Sequence, residues 1–165
     1  DKSQWLFSAI EPLFEDFKKR YKLNTEKFYL FGHSAGAGFV HRYLLFKPKA
    51  AVVKAVAANP AFVTVPDFEI QYPFGLKNTP IKKRDIKPWF KHNLAIVLGE
   101  DDLGPRTKPL SNGAMANVQG VNCFERGQLL FSAAKQASKS IRAKFNWKLI
   151  TKGYGCFIIK FLLTK

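Results

Sequence analysis

A serine between two glycines is the residue of this chain whose setting best fits chemical work. Gly32, Ser34 and Gly36 form a Gly-x-Ser-x-Gly pattern, with His33 and Ala35 in the two variable positions. Such a pattern is typical of a sharp turn that leads from a strand into a helix and exposes the serine hydroxyl as a nucleophile. The amide of Ala35 would then point at the oxyanion that forms when Ser34 attacks a carbonyl carbon. The pattern therefore predicts acyl transfer through Ser34.

The two glycines of this pattern have a predicted role in the turn. Neither Gly32 nor Gly36 has a Cβ atom, so we expect the backbone to bend tightly and the helix to lie close to the strand. The alternative interpretation is a glycine-rich turn of a nucleotide-binding fold. The spacing disfavours that alternative, because it fits neither Gly-x-Gly-x-x-Gly nor a phosphate loop with Gly-Lys followed by Ser or Thr.

A serine nucleophile needs a base and an acid as partners. An imidazole takes the hydroxyl proton, and a carboxylate holds the imidazole in the right tautomer. The acidic run at 100–102 follows the apolar segment 94–99, which predicts that its carboxylates reach the same sheet edge as the serine. The expected chain order is serine, acid, histidine. His33, His41 and His92, however, all precede the acidic run.

None of these histidines is predicted to serve as the base. His33 is next to the serine, but a side chain at this position normally points away from the nucleophile. His41 lies about 10 Å along the predicted helix, at 1.5 Å per residue. His92 enters the strand whose other end carries the acidic run, so it lies roughly 20 Å from the site at about 3.3 Å per residue.

Alternating helix and strand patterns surround these residues. Apolar residues at three- and four-residue spacing predict helices, and short continuous apolar runs predict buried strands. The predicted helices lie at 3–22, from the serine turn to about 46, and at 126–143, and the predicted strands at 27–31, 51–58, 94–99 and 145–151. Pro12 is expected to bend the first helix. The alternation predicts an α/β fold with a doubly wound, mostly parallel sheet.

An irregular stretch separates two of the predicted strands. Between 61 and 92, prolines and aromatic residues are interspersed without a helical or strand period. A long irregular stretch inside a compact domain is often functional, which predicts an insert or cap over the carboxyl edge of the sheet. The sequence leaves open the alternative of a surface loop tethered by Phe68, Tyr72 and Phe74.

Composition and charge narrow the classes of function. The 165 residues, 47% of them hydrophobic, predict a single domain over 1–165. The net charge is +15, but no helix-turn-helix, zinc-finger or aromatic RNA-binding pattern accompanies the basic clusters, so no nucleic-acid partner is predicted. Cys123 and Cys156 are far apart and fit neither a disulfide scaffold nor a metal site. No apolar run reaches the roughly 20 residues of a membrane span. The compartment and the oligomeric state stay open.

Several segments together resemble a known family. They are Phe31–Phe46, Ala57–Pro60, Tyr72–Leu76, Leu98–Asp102, Ala114–Met115, Arg126–Gly127 and Phe145–Lys148. Over 28–151 the chain resembles bacterial α/β-hydrolases related to poly(3-hydroxybutyrate) depolymerases, which are mostly esterase-like. The resemblance implies that Asp102 is the acid, because the family's acid ends a Gly-Glu-x-Asp turn, with Asp101 in the variable position. Gly104 stands where family members commonly have a further Asp.

The resemblance also implies where the base should lie. In the family, the last strand leads into a Val-Pro-Gly-x-Gly-His-like turn, and the corresponding segment here ends in Cys156 instead of histidine. The residues that follow are apolar, unlike the family's polar continuation, so 153–165 is an atypical tail. A reading-frame error or damaged gene end would produce it, and a true apolar tail is the alternative. The resemblance thus implies a fragment, with a second oxyanion donor upstream of Asp1.

The implied function is that of a serine hydrolase that cleaves carboxylic esters through an acyl-enzyme intermediate. Ser34 would attack, the Ala35 amide would help to hold the oxyanion, and Asp102 would orient a histidine that this chain lacks. The substrate would be a small-molecule or polymeric ester, and no metal or organic cofactor is implied. We expect this chain to be impaired. The alternative is a non-catalytic α/β-hydrolase-like binding domain. Its lysine-rich surface would then bind an anionic partner.

Overall fold

A parallel four-stranded sheet with helices packed on it forms the fold. The computed structural model describes residues 6–103 and 113–153. The strands are β1 (Phe28–His33), β2 (Val52–Ala58), β3 (Leu94–Gly99) and β4 (Lys148–Lys152). The helices are α1 (Ile10–Tyr21), α2 (Ala35–Phe46), α3 (Lys87–Lys91), α4 (Ala114–Val118) and α5 (Cys123–Ser140), with 3-10 helices at Leu6–Ser8 and Lys83–Ile86. The predicted α/β class with a parallel sheet is confirmed.

The order of the strands in the sheet is the order of the strands in the chain. β1, β2, β3 and β4 are successive neighbours, and each neighbouring pair is parallel. His33 is paired with Ala58, Ala58 with Val97, and Gly99 with Lys152. Because all four strands point the same way, the residues that follow them lie along one edge. We call this the carboxyl edge and the opposite one the amino edge.

β3 shows how the sequence specifies a buried strand. All six of its residues are buried. Leu94, Ile96 and Leu98 belong to the large apolar cluster that also contains residues of α2, α3 and α5. Ala95 and Val97 belong to a smaller cluster with residues of β2. Successive side chains of a strand point to opposite faces, so a continuous apolar run is what a strand buried on both faces requires.

The helices differ from the predicted ones at their ends. α1 begins at Ile10, and Pro12 therefore lies in its first turn, where a missing N–H costs no intrahelical hydrogen bond. Because Pro12 breaks no hydrogen bond there, it gives no reason for the helix to bend as predicted. α5 begins earlier than predicted because the Asn122 side chain caps it, accepting from the amide of Glu125 at 2.8 Å. The sequence analysis did not predict α4, because its five residues are too few to show an apolar period.

Segment 61–92 combines turns with a helical end. The 3-10 helix at Lys83–Ile86 leads into α3, in which Pro88 occupies an early position that proline tolerates. These helices were not predicted, because their apolar residues are too few to show a period. The inner residues Val63 and Leu76 are buried, so part of the segment belongs to the core. Its function as a cap stays a prediction.

Three features of the sequence lie outside the described residues. They are Gly104 and Cys156, together with the tail beyond Gly153. Within the described ranges, we find no helix that is both long and apolar enough to cross a membrane.

Candidate active site

Ser34 lies at a sharp turn from β1 into α2. Its backbone angles are φ 55° and ψ −112°, a combination that residues other than glycine rarely adopt. The Ser34 amide donates to the carbonyl oxygen of Ala58 at 2.9 Å, and its carbonyl oxygen accepts from the amides of Gly38 and Ala61, both at 3.3 Å. These three backbone hydrogen bonds hold the strained backbone of Ser34 in place. Strained backbone angles are frequent at functional sites.

A close backbone approach explains one glycine of the pattern. A Cβ atom on Gly32 would lie 2.2 Å from the carbonyl oxygen of Gly36 and 2.8 Å from Cγ2 of Val40. Gly32 therefore lets the first turn of α2 lie against β1. A Cβ atom on Gly36 would meet nothing within 4 Å among the described residues. The close approach thus depends on the missing Cβ atom of Gly32 alone, which corrects the prediction that Gly36 is needed in the same way.

The N-terminus of α2 presents amides to the carboxyl edge. Ala35 is the first residue of α2 and is exposed. The first amides of a helix have no intrahelical acceptor, and the helix dipole favours a negative charge near them. The side chain of Ser34 makes no capping hydrogen bond to these amides. The Ala35 amide lies at this helix N-terminus, and its contact with an oxyanion stays a prediction. His33, the other variable residue of the pattern, is half-buried at the end of β1.

The acidic turn after β3 separates its three carboxylates. Glu100 and Asp101 are exposed, whereas Asp102 is only 6% exposed. The Asp102 amide donates to the carbonyl oxygen of Gly99 at 3.1 Å, which folds the turn back on the strand. Oδ2 of Asp102 accepts from Nδ2 of Asn59 at 2.7 Å. Of the three carboxylates, Asp102 has the burial and fixed orientation that a partner of an imidazole needs.

Asn59 is a residue of this site that the sequence reasoning did not single out. It follows β2, is fully buried and has a φ of 44°. Its Oδ1 accepts from the amide of Gly99 at 2.9 Å, in addition to the bond that its Nδ2 makes with Asp102. The available signal was the Asn-Pro pair after a strand. Asparagine tolerates the left-handed region, and Pro60 cannot donate to a continuing ladder.

His41 has a structural environment within the core. Its ring is fully buried, Nδ1 lies 2.8 Å from the carbonyl oxygen of Ala37, and Nε2 accepts from the amide of Thr64 at 3.0 Å. Both nitrogens are engaged, so the ring has no nitrogen left for a serine hydroxyl. Burial lowers the pKa of His41 to about 3, which keeps the ring neutral at ordinary pH.

His92 lies at the amino edge, directly before β3. Ser34 and Asp102 follow their strands at the carboxyl edge. Burial lowers the pKa of His92. His92 therefore lies at the opposite end of β3 from Asp102, as the sequence predicted.

Buried polar side chains hold the chain that follows Asn59. Nη1 of Arg126 donates to the carbonyl oxygen of Ala61. Gln119 makes two hydrogen bonds with the backbone of Val63: Oε1 accepts from the amide at 3.0 Å and Nε2 donates to the carbonyl oxygen at 2.6 Å. Both side chains are nearly inaccessible to solvent.

Together with His41, these residues form what we call the polar clamp: His41, Gln119 and Arg126. They come from α2, the end of α4 and α5, and they bind the backbone of segment 61–64. That segment adjoins the serine turn, since the amide of Ala61 binds the carbonyl oxygen of Ser34. The clamp therefore fixes one side of the candidate site. The sequence did not predict it.

A cavity of about 490 Å³ is lined by residues of segment 61–92, α4 and α5. Phe74, Met115 and Gln119 are among its lining residues, whereas Ser34 and Asp102 are not. The cavity is therefore separate from the serine and the acid. In the described ranges, no three His, Cys, Asp or Glu side chains are grouped so as to hold a metal ion.

Solved structures similar to this chain include the two that follow, although no protein-family model and no curated protein matches its sequence. Poly(aspartic acid) hydrolase-1 from Sphingomonas sp. KT-1 has a TM-score of 0.89 and 34% identity, covering 94% of this chain and 60% of its own. LpqC, a poly(3-hydroxybutyrate) depolymerase from Bordetella parapertussis, has a TM-score of 0.85 and 27% identity, covering 93% of this chain and 52% of its own.

The chain thus spans between about half and three fifths of the length of these neighbours. Both neighbours are hydrolases by name, and the likeness extends over nearly all of this chain at a TM-score that indicates the same fold. The resemblance drawn from the sequence is therefore confirmed, and this chain is similar in fold and in sequence to poly(3-hydroxybutyrate) depolymerase-like hydrolases of the α/β-hydrolase type.

Proposed function

We propose that this chain carries the nucleophile and the acid of a serine hydrolase that cleaves carboxylic esters through an acyl-enzyme intermediate. One observation carries the proposal. Ser34 has a strained φ of 55° at a strand-to-helix turn, and the buried Asp102 follows a strand that ends at the same sheet edge. A nucleophile on a strained turn and a buried carboxylate at that edge are two of the three groups that such a reaction requires.

The reaction would proceed in two stages. Oγ of Ser34 attacks the carbonyl carbon of the ester, an imidazole takes the hydroxyl proton, and the carbonyl oxygen becomes an oxyanion near the Ala35 amide. Collapse of this intermediate releases the alcohol, which takes up the proton, and leaves an acyl group on Ser34. Water then attacks the acyl group with the same proton transfers and releases the carboxylic acid.

The base is the group that we do not assign in this chain. His41 has both ring nitrogens engaged, and His92 lies at the opposite edge of the sheet. The expected position of the base is that of Cys156, which lies outside the described residues. The proposal therefore includes low activity for this chain as written.

The two neighbours suggest which bonds are candidates. One is named for poly(3-hydroxybutyrate) and the other for poly(aspartic acid), and so for a polyester and a polyamide. Attack at an acyl carbon serves both bond types. We favour an ester as the substrate, because an alcohol leaves more readily than an amine. Its departure therefore depends less on a proton delivered by the base.

Covalent labelling tests the proposed nucleophile. A fluorophosphonate loses fluoride when a serine oxygen attacks its phosphorus, so peptide mass spectrometry identifies the reacting serine. We expect an adduct on Ser34 that is lost in Ser34→Ala and kept in Ser132→Ala, since Ser132 is an exposed residue of α5. Equal labelling of the parent and Ser34→Ala would contradict the proposal.

A second candidate function is binding of an anionic partner, which the charge distribution favours. The segments that lead into the strands lie at the amino edge and carry Lys22, Lys27, Lys47, Lys49, Lys91, Arg142 and Lys144. The same segments contain a single carboxylate, Glu26, which is paired with Lys18 at 2.9 Å. Net positive charge is therefore concentrated at the edge opposite Ser34, where it would attract a polyanion.

Binding of poly(aspartate) at several salt concentrations would test this candidate. Under it, the double variant Lys49→Glu/Lys144→Glu lowers the affinity and the slope of affinity against salt. The control variant Lys77→Glu, in segment 61–92, leaves both unchanged. Binding that is insensitive to salt, or equally weakened by the control, would remove this candidate.

A further inference from the structure

The side chain of Asn59 connects the ends of two strands. The Asn59 amide donates to the carbonyl oxygen of Val97 at 3.0 Å, so its backbone is still bound to β3. Its φ of 44° turns the side chain out of the strand pattern. Oδ1 then accepts from the amide of Gly99 at 2.9 Å, and Nδ2 donates to Oδ2 of Asp102 at 2.7 Å.

The chemistry of the partners determines how the carboxamide is oriented. The Gly99 amide can only donate, and a carboxylate oxygen accepts. The carboxamide must therefore direct its oxygen at Gly99 and its nitrogen at Asp102. No other orientation satisfies both contacts, so the donor and acceptor roles of the partners alone decide which atom is nitrogen and which is oxygen.

The same stretch of backbone also holds the nucleophile. The carbonyl oxygen of Ala58 accepts from the Ser34 amide at 2.9 Å, and the next residue, Asn59, holds the acid. Ser34 and Asp102 are thus connected through two consecutive residues: Ala58, the last residue of β2, and Asn59, which directly follows it. This is a short and rigid path, because every link is a hydrogen bond of ordinary length or a covalent bond.

We propose that Asn59 is a positioning residue of this site: its carboxamide fixes the Asp102 carboxylate relative to the Ser34 turn. The catalytic meaning of this inference rests on the proposed serine hydrolase function. The positioning itself rests only on the contacts of Asn59 with Gly99 and Asp102.

Other side chains do not fit this position. Aspartate would place two carboxylates about 2.7 Å apart, and two such groups do not both ionise at that separation. Alanine would lose both contacts and would be strained at a positive φ. Glycine accepts the positive φ without strain and loses only the side chain. Glycine therefore separates the role of the carboxamide from that of the backbone.

The experiment compares four proteins: the parent, Asn59→Gly, Asn59→Asp and Asn78→Asp. Asn78 is a matched control, because it also has a positive φ, of 63°, but is exposed. Crystal structures report the position of the Asp102 carboxylate. Because Asp102 acts on Ser34 only through a histidine, the same four proteins are also made with Cys156→His. In that background, the rate of Ser34 phosphonylation by a fluorophosphonate, measured from pH 5 to 9, reports the effect on the nucleophile.

The expected result is that the Asp102 carboxylate rotates or moves by about 1 Å in both Asn59 variants and stays in place in Asn78→Asp. The strand pairing between β2 and β3 should be unchanged in Asn59→Gly. In the Cys156→His background, the phosphonylation rate should fall by about 10- to 100-fold with an altered pH profile in both Asn59 variants only.

Two results would overturn the inference. One is an Asp102 carboxylate that keeps its position in Asn59→Gly. The other is the loss of folding in both Asn59 variants while Asn78→Asp folds, which would show that Asn59 supports the sheet rather than the acid. A parent whose Ser34 does not react at all would instead refute the proposed function. The crystal structures would still decide the role of Asn59 in that case.

Discussion

The backbone of Gly36 lies so close to Gly32 that a Cβ atom on Gly32 would come within 2.2 Å of the Gly36 carbonyl oxygen. We expect Gly32→Ala to lower the free energy of unfolding by at least about 2 kcal/mol, because backbone atoms cannot move aside as a flexible side chain can. Gly36→Ala is the control. It adds a methyl group in open space within a helix and should change stability by less than about 1 kcal/mol. Thermal unfolding measures both, and equal effects of the two variants would contradict the packing described for this turn.

The neutral ring of His41 predicts a pH dependence of stability. Its pKa is about 3 in the folded protein and 6.5 in the unfolded chain, so the unfolded state binds the proton first as the pH falls. The stability that this ring contributes is complete above about pH 6.5 and is lost toward pH 3. The loss approaches about 1.4 kcal/mol per pH unit within that window.

The measurement is urea unfolding of the parent and His41→Gln between pH 4 and 8. The variant should be less stable at pH 8, and its stability should vary less with pH. The pKa of His92 is also lowered, so His92→Gln shows how much of the slope comes from this second, half-buried ring. A parent and a His41→Gln variant with parallel curves would show that the ring does not stay neutral in the folded protein.

Gln119 should contribute more to stability than its polar character suggests. Its side chain satisfies both the amide and the carbonyl oxygen of Val63. Gln119→Leu leaves the buried amide and carbonyl oxygen of Val63 without these hydrogen bonds. It should lower the free energy of unfolding by about 2–4 kcal/mol. Gln136→Leu, at an exposed position of α5, should change stability by less than about 0.5 kcal/mol. Chemical denaturation distinguishes the two, and a mild effect at Gln119 would mean that the segment is held by other contacts.

Esterase activity should be low in this chain and should depend on the residue at 156. Without an imidazole the hydroxyl of Ser34 stays protonated, and only about 10³- to 10⁴-fold acceleration over water is expected from binding and oxyanion contacts. Hydrolysis of a short-chain activated ester by the parent, Ser34→Ala and Cys156→His checks this. Cys156→His joined to upstream strands of a relative should gain Ser34-dependent turnover. Turnover by the parent at the level of intact relatives would mean that one of His33, His41 and His92 is the base.

Local sequence predicted the parts of the fold that depend on local patterns. β3 was predicted at 94–99 and spans Leu94–Gly99, because a short continuous apolar run between polar residues is typical of a strand buried on both faces. The Gly-x-Ser-x-Gly turn was predicted in the same way, from three residues whose spacing carries the geometry. The start of α5 was misplaced by a few residues, since Asn122 ends the irregular stretch through a capping bond that periodicity does not register.

The contacts that sequence reasoning missed are those between distant residues. Gln119 and Val63 are 56 residues apart, and Asn59 and Asp102 are 43 apart. In a sequence, a lone Gln, Asn or Arg usually indicates a solvated surface position. Only the fold shows that these side chains are buried and that each meets a backbone or carboxylate partner. Asp102 was identified over Asp101 through the family resemblance, and its burial supports that choice.

Because of the polar clamp, segment 61–64 loses its conformational freedom when the protein folds and not when a ligand binds. Fixing a backbone residue costs about 1–2 kcal/mol of conformational entropy, and His41, Gln119 and Arg126 offset this cost while the protein folds. A molecule that reaches Ser34 therefore meets a wall that is already ordered. None of its own binding free energy is then consumed in arranging that wall.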